Sequence, residues 1–353
     1  MKLLKYLFLL ILIVVIGAAI YFATKDGSFD VAATKTMEAP PEVIYNQVKD
    51  FKDWPEWGPW IAEDPDMQID YAEKTEGEGA SYSWKSEKVG DGSMRTTKVI
   101  PAKEIEQEIT FNTPMGDSDS DIYWKFEETD SVGKTKVTWG MKGEQSFMEK
   151  VYMSFQEEDF ETTLKTMFDS GLSNLEEVVE ESMEAYSINV DGITEYGGGY
   201  YMFVSQASSR NDIGAKMGPM FGQVMQYMQQ NNLQQSGQPF AIYNQVNEES
   251  NSVIFSAAIP VKERVVVPPG SSVQNGFMEP VPALKVTLKG DYTNIPEAYE
   301  RANAYMAENG LQPNQDRNMF EIYANDPGNV PNPADYLTEI YLPVQKPTEP
   351  ELP

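Results

Sequence analysis

The chain has 353 residues, a formal net charge of -28, and neither Cys nor His. It can therefore build no Cys- or His-ligated zinc site, no disulfide, no thiol nucleophile and no His-dependent triad, and acid–base work falls to Asp, Glu, Tyr or Lys. The acidity argues against a phosphate-binding surface, and no helix-turn-helix segment is present, so no nucleic-acid partner is expected.

In chain order, Tyr6 to Thr24 is an uncharged, mostly apolar run of 19 residues. As a helix it spans roughly 28 Å, about a bilayer's hydrocarbon thickness. Residues 1–25 are read as an uncleaved single-pass anchor in the inner (cytoplasmic) membrane of a bacterium, although Gly17-Ala18-Ala19 leaves cleavage open. Lys2 and Lys5 precede the run, and Lys25 after it is offset by Asp26. The positive-inside rule then sends the soluble part out of the cytoplasm.

Residues 26–185 read as one α+β domain. Phe29 to Glu38 is a strand, and Ala39-Pro40-Pro41 opens a helix through Glu42 to Val48, since proline suits a first turn. Trp54-Pro55-Glu56-Trp57 follows. Ile105, Ile109 and Phe111 alternate with acids. Ile122, Trp124 and Phe126, then Val137, Trp139 and Met141, also alternate with polar or less apolar neighbours. These are strands of an antiparallel sheet covered on one side. Ser146 and Glu149 form a capping-box pair. Behind them Phe147, Val151, Phe155, Phe160, Leu164, Phe168, Leu172, Leu175 and Val179 recur at helical spacing. The expectation is one long covering helix, kinked or interrupted at Gly171, which gives a helix-grip layout.

Met37-Glu38-Ala39-Pro40-Pro41-Glu42-Val43-Ile44, Asp50, Trp54 to Trp57, Gly77-Glu78-Gly79-Ala80 and this final helix resemble the START-like (SRPBCC, polyketide cyclase-related) superfamily. The resemblance implies an apolar cavity between sheet and helix. Trp84, Trp124 and Trp139 either line it or are simply core.

Residues 186–345 read as a second domain. Gly197-Gly198-Gly199 reads as a bend or bulge, because no helix N-terminus or Gly-Lys-Ser/Thr follows. A Met-rich helix carries Met217, Met220, Phe221, Val224, Met225 and Met228. Such a stripe is either ordinary core or a surface able to repack around varied ligands. Lys262 to Pro280 reads as a connector. Leu284, Val286 and Leu288 then form a strand, and Tyr299, Ala302 and Met306 a helix face. Phe320-Glu321-Ile322-Tyr323 is a strand, and Thr338 to Val344 its partner across an Asn/Asp/Pro/Gly-rich loop. Phe240-Ala241-Ile242-Tyr243 and Ala258-Ile259-Pro260-Val261 echo these two strands about 80 residues earlier. The pattern is a duplicated strand–helix–strand–strand unit, with repeats at about 186–261 and 281–345. Glu321 has Ala241 as its counterpart. A carboxylate on a half-buried strand is uncommon unless paired or used.

This repeat, Leu288-Lys289-Gly290-Asp291-Tyr292 and Glu339-Ile340-Tyr341-Leu342-Pro343-Val344 resemble the GyrI-like effector-binding domain. In that family a cleft between the repeats binds small, often aromatic and cationic molecules, and a strand glutamate faces it. Carried over, the glutamate is Glu321. Tyr243, Tyr292, Tyr323, Phe240 and Met220 are the aromatic and adaptable residues expected beside the ligand. The alternative for Glu321 is a structural acid, bonded to backbone amides or paired with an arginine such as Arg317.

The expected function is a membrane-anchored binding protein for a small organic molecule of the cationic or aromatic kind. One alternative is a hydrolase of small electrophiles with Glu321 as general base. Another is lipid or hydrophobic-ligand binding by the START-like half. No second catalytic group stands out, and no cofactor or metal is expected. Protein partners cannot be read from the chain, and residues 346–353 read as a disordered tail.

Overall fold

A computed structural model describes residues 2–113, 116–155 and 159–345. The disordered tail expected at 346–353 lies outside the described residues. The chain divides into two compact units between Ser182 and Met183.

The first unit begins with the apolar helix α1 (Lys2–Thr24). β1 (Ser28–Met37) leads into α2 (Pro41–Val48), which has proline in its first turn, and α3 (Pro59–Glu63) follows. The remaining strands are β2 (Gln68–Tyr71), β3 (Ser81–Lys85), β4 (Asp91–Ile100), β5 (Glu104–Thr113), β6 (Gly116–Glu128) and β7 (Thr135–Glu144). They form an open seven-stranded antiparallel sheet in the order β1-β7-β6-β5-β4-β3-β2. The alternating residues point as their period requires: Ile105, Ile122, Trp124, Val137 and Trp139 are buried.

The covering helix comes in two pieces, α4 (Phe147–Met153) and α5 (Phe160–Glu184). This corrects the single long helix expected from the apolar period. α5 buries Phe168, Leu172, Leu175 and Val179, whereas Phe147 and Phe155 are exposed. The period marks an apolar stripe but not what the stripe meets. Gly171 does not interrupt α5. A Cβ there would lie 2.5 Å from the Trp139 ring, so glycine is required for close helix–sheet approach. The capping box is formed: Ser146 Oγ accepts from the Glu149 amide, and the Glu149 carboxylate accepts from the Ser146 amide.

The second unit contains β8 (Ser187–Tyr196), β9 (Gly199–Ser209), α6 (Ile213–Gln230), β10 (Phe240–Asn247) and β11 (Ser252–Val261), then β12 (Gln274–Met278), β13 (Val281–Lys289), α7 (Ile295–Glu308), β14 (Phe320–Tyr323) and β15 (Leu337–Pro343). They make one open eight-stranded antiparallel sheet, β12-β9-β11-β10-β14-β15-β13-β8. Exchanging the two repeats reverses this order onto itself, so the sheet has a pseudo-two-fold between β10 and β14. Each repeat holds one strand more than its sequence pattern shows. β12 lies in the stretch expected to be a mere connector. Its Gln-Asn-Gly-Phe-Met sequence has no β-branched residue, and pairing with β9 makes it a strand. The leading strands are exchanged: β8 pairs with β13 of the other repeat, and β12 with β9.

Both helices end alike. Leu233 N donates to Met228 O and Leu311 N to Met306 O, each at 2.9 Å. The residue before each leucine, Asn232 or Gly310, is left-handed, at φ 53° or 64°. These are the residue types that accept that conformation most readily.

Candidate functional site

At the pseudo-dyad, β10 and β14 run antiparallel with Phe240 opposite Ile322, Ala241 opposite Glu321, and Ile242 opposite Phe320. Of the equivalent positions of the two repeats only the central pair, Ala241 and Glu321, are direct cross-strand partners, so the one acid sits beside the one alanine at the dyad. Strand alternation then sorts the side chains. Ala241, Tyr243 and Tyr323 pack in the cluster that includes Met217, Met220, Phe221 and Val224 of α6. Phe240, Ile242, Phe320 and Ile322 join Tyr341 in a separate cluster. Phe240 thus lies on the opposite face of β10 from Tyr243 and does not join the Glu321 site.

Glu321 is 1% exposed. Three tyrosine hydroxyls donate to its carboxylate: Tyr243 at 2.8 Å and Tyr323 at 3.0 Å to Oε2, and Tyr299 at 2.8 Å to Oε1. Among the described residues no Lys or Arg forms an ion pair with it. Arg317 pairs instead with Glu279. Neither expected alternative partner is therefore the one found. Burial pushes the Glu321 carboxyl above its ordinary value of 4.5, and the three hydroxyls oppose this only in part. Burial first, and then the Glu321 charge, pushes Tyr243, Tyr299 and Tyr323 well above the usual phenol range. They remain neutral O–H donors at any physiological pH.

Aromatic rings enclose the carboxylate. Phe221 meets Tyr323 edge-on at 5.8 Å, and Tyr292 does so at 5.6 Å. Tyr336 stacks on Tyr292 at 5.1 Å. Tyr292 is pushed up to about 12, chiefly by burial. The chain enters this corner through Gly290 and Asp291, whose carboxylate accepts from Thr293 N at 2.8 Å and so caps the turn carrying Tyr292.

The structure thus brings Glu321, Tyr243, Tyr323 and Tyr292 together, with Met220 in the adjoining cluster. Sequence reasoning missed Tyr299, Phe221 and Tyr336. The signal for Tyr299 was a hydroxyl on the inward stripe it shares with Ala302 and Met306. Aligning the two helix ends makes Phe221 its counterpart, so the second hydroxyl, like the acid, occurs in one repeat only.

In the first unit Trp124 and Trp139 stack at 4.5 Å with 16° between their planes. Trp54, Trp57 and Trp60 pack edge-on or tilted around them. Trp84 stands apart, against Tyr82 and Phe111, and its Nε1 donates to Gly90 O at 2.9 Å. The Trp124 and Trp139 indole nitrogens are buried without a hydrogen-bond partner among the described residues. This cluster occupies the space between the sheet and α5.

Two classes of domain emerge: a curved antiparallel sheet covered by a long helix, and a duplicated sheet domain with a glutamate at its dyad. Comparison with known families makes them particular. Residues 28–180 match the polyketide cyclase/dehydrase and lipid transport family, and residues 201–345 match the GyrI-like small molecule binding domain. The chain therefore carries an SRPBCC-type domain and then a GyrI-like domain behind an apolar N-terminal helix. Small-molecule binding in general is what both matches support.

No curated protein matches the chain. Among solved structures, the EcmrR C-terminal domain is 18% identical with a TM-score of 0.39, covering 46% of this chain and 99% of that one. The Aha1 dimer from Colwellia psychrerythraea is 19% identical with a TM-score of 0.31, covering 43% and 96%. EcmrR in its DNA complex is 14% identical with a TM-score of 0.39, covering 62% and 88%. The helix Leu4–Thr24, 21 residues long, is apolar enough to cross a membrane, as either an anchor or a signal sequence.

Proposed function

We propose that this is a membrane-anchored binding protein whose GyrI-like half takes up a small organic cation, preferably aromatic, against Glu321. One observation carries the reading: a buried carboxylate surrounded by neutral hydroxyls and rings, with no cation paired to it among the described residues. An ionised carboxylate in such a place lacks a countercharge, and desolvation costs several kcal/mol that hydrogen bonds offset only in part. A cationic ligand would supply the charge, and Tyr292, Tyr323 and Tyr243 would supply π-faces. Because Glu321 is covered, entry requires some of these half-buried tyrosines to turn aside.

The same geometry disfavours the hydrolase reading. All three hydroxyls donate to the carboxylate and occupy most of its acceptor sites, and the carboxylate is covered, so little of it is left to take up an attacking water. In this proposal α1 stays in the membrane and the two domains face away from the cytoplasm.

Calorimetry on the full chain in detergent micelles tests the reading. Benzyltrimethylammonium should bind saturably, and its neutral carbon isostere neopentylbenzene at least about tenfold more weakly, a difference of 1.4 kcal/mol. Equal binding of the two, or none of either, would overturn it.

A further inference from the structure

The helix that follows the seven-stranded sheet faces the wrong way for a helix in water. Phe147, Met148, Val151 and Tyr152 lie on one side of α4, and Phe155, just beyond it, is at the spacing that prolongs the stripe. At 100° per residue these five positions span about 140°. Phe147, Met148, Tyr152 and Phe155 are exposed to 41%, 46%, 54% and 81%. The polar residues of the helix turn inward. Lys150 is buried, with its Nζ donating to the Lys25 carbonyl at 2.7 Å. Glu149 is occupied by the capping box at Ser146. Large apolar side chains gathered on one exposed stripe mark a surface that something covers.

The position of the stripe indicates what covers it. Lys25 follows the last residue of α1, and its carbonyl belongs to the helix end where the dipole favours a cation. α4 packs against α1. Lys150 therefore fixes α4 at the foot of the apolar helix, where the chain would leave the hydrocarbon. Tyr152 adds an aromatic ring with a polar tip, a type enriched at that depth.

We propose that α4 and Phe155 dock onto the lipid surface beside α1, setting Phe147, Met148, Tyr152 and Phe155 between headgroups and acyl chains. This rests on the reading of α1 as a retained membrane span. Lipid is the occupant because the stripe continues directly from a helix that is itself apolar and exposed. The stripe carries no basic residue, so zwitterionic lipid suffices. Docking would hold the sheet of the first unit close against the membrane and stop it swinging on the segment after Thr24.

The chain has no native cysteine, so single-cysteine variants can be labelled cleanly. Tyr152→Cys and Phe155→Cys in the full chain, carrying an environment-sensitive fluorophore, are reconstituted in phosphatidylcholine vesicles. Val14→Cys, midway along α1, reports on the anchor. Val132→Cys, at 103% exposure in the β6–β7 turn, reports on water. The Tyr152→Cys and Phe155→Cys labels should emit blue-shifted and be quenched by nitroxides on the lipid chains, at a depth of about 5–10 Å. The Val132→Cys label should be quenched by aqueous iodide.

A lipid signal from Val14→Cys with water signals from both α4-region labels overturns the docking and leaves the anchor. A water signal from Val14→Cys removes the anchor and the docking together. Shielding of the α4-region labels that vanishes on dilution to one chain per vesicle assigns the stripe to a second copy and also overturns the proposal.

Discussion

Replacing Glu321 by Gln separates a ligand-facing charge from a structural acid. In the wild type, Oε2 accepts from Tyr243 and Tyr323 and Oε1 from Tyr299. An amide oxygen in the Oε2 position keeps two of these bonds, and the amide nitrogen can donate to the Tyr299 oxygen. Each bond loses its charge assistance, roughly half its strength. Against this, the fold already favours the neutral carboxyl, since burial outweighs the three hydroxyls and raises the pKa above 4.5. Glutamine imitates that neutral form, so the variant should be at least as stable as wild type at neutral pH. Ligand affinity should behave differently. Losing a desolvated charge partner costs about 2–5 kcal/mol, or about 30- to 5,000-fold in Kd. Calorimetry with benzyltrimethylammonium should show that loss, and neopentylbenzene should change by less than about threefold. Equal losses for both ligands, or no loss for either, would refute the reasoning and return Glu321 to the scaffold.

Three further outcomes are expected. Tyr299→Phe removes a hydroxyl donating to Oε1 at 2.8 Å and should cost about 1.5–3 kcal/mol at neutral pH. Because Glu321 has a raised pKa in the fold, its contribution falls as pH rises above 4.5, and the missing donor should steepen that fall. Denaturant unfolding at pH 5 and pH 8 checks this, and a cost independent of pH would contradict it. Gly171→Ala sets a methyl 2.5 Å from the Trp139 ring and should destabilise the first unit by about 1–3 kcal/mol in thermal unfolding. A membrane-impermeant maleimide should label Val132→Cys in cells whose outer layer is permeable. Labelling only after the inner membrane is broken would reverse the proposed orientation.

What was legible in the chain is what one residue's neighbours decide. Alternation at Ile105, Ile122 and Val137 showed strands because each buries one face, and Pro41 and the Ser146–Glu149 pair marked helix starts through local backbone chemistry. The duplication showed Glu321 as the odd residue, since Phe320, Ile322 and Tyr323 have matching counterparts in Phe240, Ile242 and Tyr243. The placement of Phe240 was also available, because period-2 alternation sets it on the opposite face from the position of Ala241. The rest needed tertiary contacts. An apolar period at Phe147, Val151 and Phe155 does not say whether the stripe meets a sheet or the outside. β12 is a strand because β9 presents an edge to it. Tyr299 reaches Glu321 across elements 22 residues apart in sequence, and only the packing of α7 on the sheet brings its hydroxyl there.

The central claim, a carboxylate at the dyad that pairs with a cationic ligand, is tested most directly by proton release on binding. Titrations of wild type with benzyltrimethylammonium in buffers of different ionisation enthalpy, between pH 5 and pH 7, measure it. A cation at Glu321 favours the ionised form, so binding should expel protons, and more of them as the pH falls toward the raised carboxyl pKa. Neopentylbenzene should release none, nor should the cation with Glu321→Gln. Proton release that is absent throughout, or that persists unchanged in Glu321→Gln, would contradict the account.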